Sequence, residues 1–173
     1  MDLRNKKVLV AFFSHKGQNY VSGKIIDLKK GNTAIMADII AETAKADIFE
    51  IISVKEYPNE YNACTEEAKK ELRSDSRPKL AGNIDLSSYD VIFLGYPNWC
   101  GTMPMPVWTF VEGHDFTGKT IIPFCTHEGS GMGKSESDLK NLASGADVKK
   151  GLAIHGSLIT KARSDIENWI KKE

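Results

Sequence analysis

The run Val8-Leu9-Val10-Ala11-Phe12-Phe13 constrains this chain more than any other feature. It is unbroken by polar residues, rich in Val and Phe, and much shorter than a membrane span. Such a run suits a strand buried on both faces, the situation of a parallel sheet. Four later segments, 47–52, 89–95, 119–125 and 148–155, read as further strands, although Pro123 weakens the fourth because it lacks an N–H for the ladder. Helical segments separate them. Residues 33–46 carry Ile35, Met36, Ile39 and Ile40 at helical spacing, with Asn32 or Thr33 as N-cap. Residues 57–77 are charged and helix-prone and end at Pro78, and 107–112, 135–143 and 160–172 complete the set, the last with Ile166, Trp169 and Ile170 on one face. Strands alternating with helices predict a three-layer α/β/α sandwich with a five-stranded parallel sheet and right-handed crossovers.

The 173 residues show no internal repeat and no low-complexity linker, which predicts one domain over 1–173. Lys+Arg and Asp+Glu both number 23, and no basic run exists, so nothing points to a nucleic-acid partner. Cys64, Cys100 and Cys125 match no zinc or redox-pair spacing, so they read as free thiols and no metal site is expected. The leading Met1-Asp2-Leu3-Arg4-Asn5-Lys6-Lys7 lacks an apolar signal region, and no apolar run reaches the roughly 18 residues of a membrane span. The expected location is the cytoplasm, with no membrane partner.

In an open parallel sheet, ligands sit beyond the carboxyl ends of the strands, where strand order reverses. Three loops there are chemically distinctive. Ser14-His15-Lys16-Gly17-Gln18-Asn19 follows the first strand, and Gly31-Asn32-Thr33 opens the helix after it. Small hydroxyl, amide and Gly residues before a helix N-terminus can surround an anion, and taken alone they can equally form a polar turn. The segment from Ser14 to Gly31 is long for a strand–helix connection. Neither the triphosphatase loop pattern nor Gly-x-Gly-x-x-Gly is present.

Tyr96-Pro97-Asn98-Trp99-Cys100-Gly101 follows the third strand. Trp99 there is either a core or lid residue or a platform for a flat ring, and Gly101 permits close backbone approach. Thr126-His127-Glu128-Gly129-Ser130-Gly131 follows the fourth strand and offers N–H donors suited to the polar edge of a heterocycle, or else a flexible linker.

With those motifs, Gly95-Tyr96-Pro97-x-Trp99-x-Gly101 and Thr126-His127-x-Gly129-Ser130-Gly131, the chain resembles the flavodoxin family from Val8 to its last helix. The resemblance implies strand order 2-1-3-4-5 and FMN as cofactor. It implies that the first loop, Ser14, Lys16, Gly17, Gln18 and Asn19, holds the FMN phosphate together with Asn32 and Thr33. It further implies that Pro97, Asn98, Trp99, Cys100 and Gly101 border the isoalloxazine ring, and that Thr126, His127, Gly129 and Ser130 lie at its pyrimidine side. Two departures stand out: Tyr20–Lys30 intervenes between the halves of the phosphate loop, and Cys100 occupies a place where relatives often carry a second Trp.

The expected function is redox chemistry on FMN, reducing a small acceptor such as a quinone with electrons from a reduced nicotinamide. The alternatives are an electron carrier between redox partner proteins and a flavin-free binding domain on the same fold. Dedicated flavodoxins are strongly acidic, so zero net charge favours the enzyme over the carrier. No side chain in the loops stands out as an obligatory acid, base or nucleophile.

Overall fold

The computed structural model describes residues 3–172; Met1, Asp2 and Glu173 lie outside the described residues. Among the described residues, five α-helices and eight strands follow in the order β1 (Val8–Phe12), β2 (Gly17–Val21), β3 (Lys24–Leu28), α1 (Asn32–Ala44), β4 (Asp47–Glu50), α2 (Tyr61–Arg73), β5 (Val91–Pro97), α3 (Met105–Glu112), β6 (Thr120–His127), α4 (Ser135–Leu142), β7 (Asp147–Val148), β8 (Leu152–His155) and α5 (Arg163–Ile170).

The main sheet runs β4-β1-β5-β6, with β7 and β8 both beside β6, and every pairing in it is parallel. Taking β7 and β8 as one interrupted strand gives the expected order 2-1-3-4-5. The alternation of β1 shows why both faces had to be covered. Val8, Val10 and Phe12 pack with Met36 and Ile40 of α1 and Ile166 and Ile170 of α5. Leu9 and Ala11, with Phe13 beyond the strand, pack on the other side with Val107 and Phe110 of α3 and Leu139 of α4.

Pro123 explains the interruption. Ile121 pairs with Val148 and Phe124 with Leu152, so the edge strand holds one extra residue between these pairs. The Ile121 carbonyl accepts Lys149 N–H at 2.9 Å, which places the backbone of Pro123, two residues on, toward the same neighbour. Having no N–H to give, Pro123 leaves a rung empty and the strand bulges there.

Two expectations are corrected. The segment between Ser14 and Gly31 is not an irregular loop: β2 and β3 form an antiparallel hairpin, with Ser22 and Gly23, both at positive φ, as its two-residue turn. The closing helix does not start at residue 160: Gly156–Lys161 is a 3-10 helix and α5 begins at Arg163.

Candidate functional site

β1 delivers Ser14 to the carboxyl edge of the sheet, and the hairpin carries the chain out and back. On its return Gly31 presses against Ser14 and His15 so closely that a Cβ there would overlap the Ser14 Oγ and the His15 carbonyl. The insertion therefore does not separate the two halves of the loop. Ser14 Oγ accepts Ala34 N–H at 3.1 Å, and Ile35 N–H bonds the Gly31 carbonyl at 3.2 Å. The N–H groups of Asn32 and Thr33 precede that first intrahelical bond and carry the positive end of the α1 dipole. Asn19 Nδ2 ties the turn by donating to the His15 and Gly17 carbonyls at 3.3 and 3.1 Å. Thr33 Oγ1 meets Thr126 Oγ1 at 2.7 Å, both buried, which joins α1 to the end of β6.

Between the two central loops, Trp99 and Thr102 exchange backbone hydrogen bonds of 3.0 and 3.1 Å around Cys100 and Gly101. Both central residues have positive φ, 54° and 84°, the signature of a tight two-residue hairpin turn. Glycine takes such a conformation without steric cost, and Cys100 does not. Asn98 locks the turn: its Oδ1 accepts Gly101 N–H at 3.0 Å and its Nδ2 donates to the Gly131 carbonyl at 2.8 Å. The Trp99 ring stands edge-on to Phe13, Tyr57 and His15 with centroids 5.3, 5.1 and 5.8 Å away. Burial pushes the exposed-turn thiol of Cys100 above its ordinary pKa, so it is not activated as a nucleophile.

At the end of β6, His127 Nδ1 accepts Gly129 N–H at 2.9 Å, which leaves Nε2 to carry the ring proton. Burial and then the neighbouring His155 hold His127 below its ordinary pKa, against an opposing pull from Glu128. Glu128 is a hub. Its Oε2 accepts the Ser22 N–H from the hairpin tip, and its Oε1 accepts the Ser157 N–H, both at 3.0 Å. His155 Nδ1 lies 3.4 Å from its Oε2.

These loops surround one cleft of about 250 Å³. Of the residues expected from the sequence, Ser14, Gln18, Asn19, Asn32, Thr33, Pro97, Asn98, Trp99, Cys100, Thr126, His127 and Ser130 line it. Lys16, Gly17, Gly101 and Gly129 do not. Lys16 is exposed to solvent, while Gly17 is buried at the foot of β2. Gly101 and Gly129 act through their turns, each donating its N–H to a lining side chain, Asn98 and His127. The lining also includes His15, Tyr20, Glu128 and Gly156, and the α2 face formed by Tyr61, Cys64, Thr65 and Ala68. The spacing of those four on α2 was a legible signal for one helix face, but nothing local said what that face would meet. Among the described residues, His15 Nε2 is the one buried polar side-chain atom without a hydrogen-bond partner, and burial lowers its imidazole pKa. No cluster of three or more metal-ligating side chains occurs among the described residues.

A cleft of this kind, at the point where strand order reverses, defines a doubly wound α/β protein of the ligand-binding type. The sequence model of the flavodoxin family matches residues 7–173, and the chain belongs to that family. Among solved structures, it is similar to a provisionally assigned flavoprotein from Bacteroides uniformis, with 30% identity over 97% of this chain and 99% of that one and a TM-score of 0.76. A second provisionally assigned flavoprotein, from Bacteroides eggerthii, shares 28% identity over 97% and 98% of the two chains with a TM-score of 0.78. A flavoprotein from Lactobacillus acidophilus, solved in complex with FMN, shares the fold at 22% identity over 90% and 97%, with a TM-score of 0.67. Among curated proteins, no sequence matches the chain.

Proposed function

We propose that this chain binds FMN in the cleft and uses it to reduce a small acceptor such as a quinone with electrons from a reduced nicotinamide. The observation that carries the reading is the return of the hairpin. It brings Gly31 onto Ser14–His15 and so sets the Ser14 hydroxyl beside the N-terminus of α1 in the wall of the cleft. This donor set suits a phosphate dianion without a lysine or arginine in the lining.

Bound FMN supplies one- or two-electron transfer. The chain's residues bind, orient and shield it. The Ser14 hydroxyl and the N–H groups of Asn32 and Thr33 take the phosphate, and Asn19 holds the turn beside them. Trp99, braced edge-on by Phe13 and Tyr57, offers an aromatic wall to the ring. Thr126, His127 and Ser130 face its polar edge, where the neutral His127 keeps one N–H to donate. Cys64 and Ala68 of α2 add apolar surface to the wall.

Zero net charge favours turnover of a small acceptor over shuttling between strongly charged proteins. No described helix is long and apolar enough to cross a membrane. The test is an absorbance and fluorescence titration of purified protein with FMN, followed by steady-state turnover of a reduced nicotinamide with a quinone. Absence of FMN binding ends the reading. Binding without turnover, together with fast reduction by a reductase, replaces the enzyme with a carrier.

A further inference from the structure

Glu71 has no part in the mechanism above, yet it is a carboxyl only 9% exposed, on the inner side of α2. Its Oε2 accepts the Tyr57 O–H at 2.6 Å. The cation nearby, Lys55, is bonded to Glu67 instead. Burial raises the Glu71 pKa, and the Tyr57 hydrogen bond only partly counters it. An apolar side chain of similar volume here, together with Tyr57→Phe, would desolvate no carboxyl and strand no hydroxyl, so stability of the fold does not explain the pair.

The surroundings of Tyr57 do. Its ring closes a triangle of edge-on contacts with Phe13 at 5.7 Å and Trp99 at 5.1 Å, and Phe13 meets Trp99 at 5.3 Å. Phe13 is buried against the sheet, while Tyr57 lies in the connection before α2, partly buried against the same core, with its hydroxyl bonded to Glu71. On another side of Trp99, against Ala68, Leu72 and Met103, a void of about 10 Å³ remains.

We infer that Glu71 is a positioning residue for the aromatic wall: through Tyr57 it fixes the tilt of Trp99 and thereby how tightly the cleft holds a flat ring. The inference rests on the FMN reading. A carboxylate suits the task because it accepts the phenol O–H strongly and in a fixed direction.

The experiment compares wild type with Glu71→Met, Glu71→Gln and Tyr57→Phe, using FMN as the probe, thermal melting for stability and near-ultraviolet circular dichroism for Trp99. Glu71→Met strands the Tyr57 hydroxyl and should melt somewhat below the wild-type temperature, and it should bind FMN roughly two- to tenfold more weakly, the loss expected for one misplaced aromatic contact. The Trp99 dichroism should weaken with it. Glu71→Gln keeps an acceptor for the phenol and should restore binding to within about twofold of wild type. Tyr57→Phe should reproduce the loss, and the double variant Glu71→Met/Tyr57→Phe should be no worse than either single change, because both cut one path. Should Glu71→Met fail to fold, the Tyr57→Phe and Glu71→Gln pair carries the same comparison. Unchanged FMN affinity in Glu71→Met and Tyr57→Phe, or losses that merely track melting temperature in all variants, overturn the inference while leaving wild-type FMN binding intact. Failure of wild type itself to bind FMN removes the functional reading and the inference together.

Discussion

Substituting Gly31 by Ala tests the feature on which the site depends. The backbone at Gly31, φ −66° and ψ 149°, is open to any residue, so the glycine is not needed for its conformation. It is needed for space. The added Cβ would lie 2.5 Å from the His15 carbonyl oxygen, where ordinary contact begins at 3.4 Å, so the Ser14–His15 loop must retreat by about 1 Å. A 3.1 Å bond from Ala34 N–H to Ser14 Oγ does not survive such a shift. Overpacking of this kind costs about 1–3 kcal/mol. The donors around the phosphate move with the loop. If one bond to a charged group is lost, at about 1.5–3 kcal/mol, FMN affinity falls roughly ten- to hundredfold. Urea denaturation and a fluorescence titration read the two effects separately. Gly82→Ala is the control: its Cβ meets only the Phe49 ring, at 3.8 Å or more, and should stay within about 0.5 kcal/mol of wild type. A Gly31→Ala protein with wild-type stability and FMN affinity within twofold of wild type would refute the claim that helix and loop are pressed into one cradle.

Three further outcomes are expected. Cys100→Asn should stabilise the protein by about 0.5–1 kcal/mol, because Asn-Gly suits a two-residue turn whose centre now strains an ordinary side chain at φ 54°. A melting temperature that falls instead would count against the turn. Thr33→Val strands the buried Thr126 hydroxyl and should cost about 1–3 kcal/mol in urea, whereas Thr33→Val/Thr126→Val should recover most of it; equal losses in both would show that the hydroxyl pair contributes nothing. His15 and His127 are held below the ordinary imidazole value of 6.5 by burial, so as pH falls the unfolded chain binds protons first. Their contribution is complete above about pH 6.5 and is lost as acid brings the pH down through the lowered folded values. Protonation of His127 also ends its bond from Gly129. The melting temperature of wild type should therefore drop more between about pH 7.5 and 5 than that of His127→Gln, and parallel curves would exclude His127 as a contributor.

Much of the fold was written locally. The apolar run at 8–13, buried on both faces, required helices on either side, and the Ile35, Met36, Ile39 and Ile40 spacing supplied one of them. The three loops that line the cleft stood out by their own composition, and their occurrence in order after strands, rather than any one of them alone, pointed to a site. Pro123 announced a fault in the sheet but not which neighbour would bulge, because the direction of its missing N–H depends on which strand lies on each side. The hairpin carried a Ser22-Gly23 turn signal, yet its strands lack the alternation that burial imposes: Ile25 and Ile26 are adjacent and both exposed.

What only the tertiary structure decided is what meets what. Glu128 reaches the hairpin tip across more than a hundred residues, α2 turns Tyr61, Cys64, Thr65 and Ala68 toward the cleft, and Glu71 reaches Trp99 through Tyr57. Periodicity states that a residue faces inward, because solvent acts on every residue alike. The partner it finds there is set by packing between distant segments, and no window along the chain contains that information.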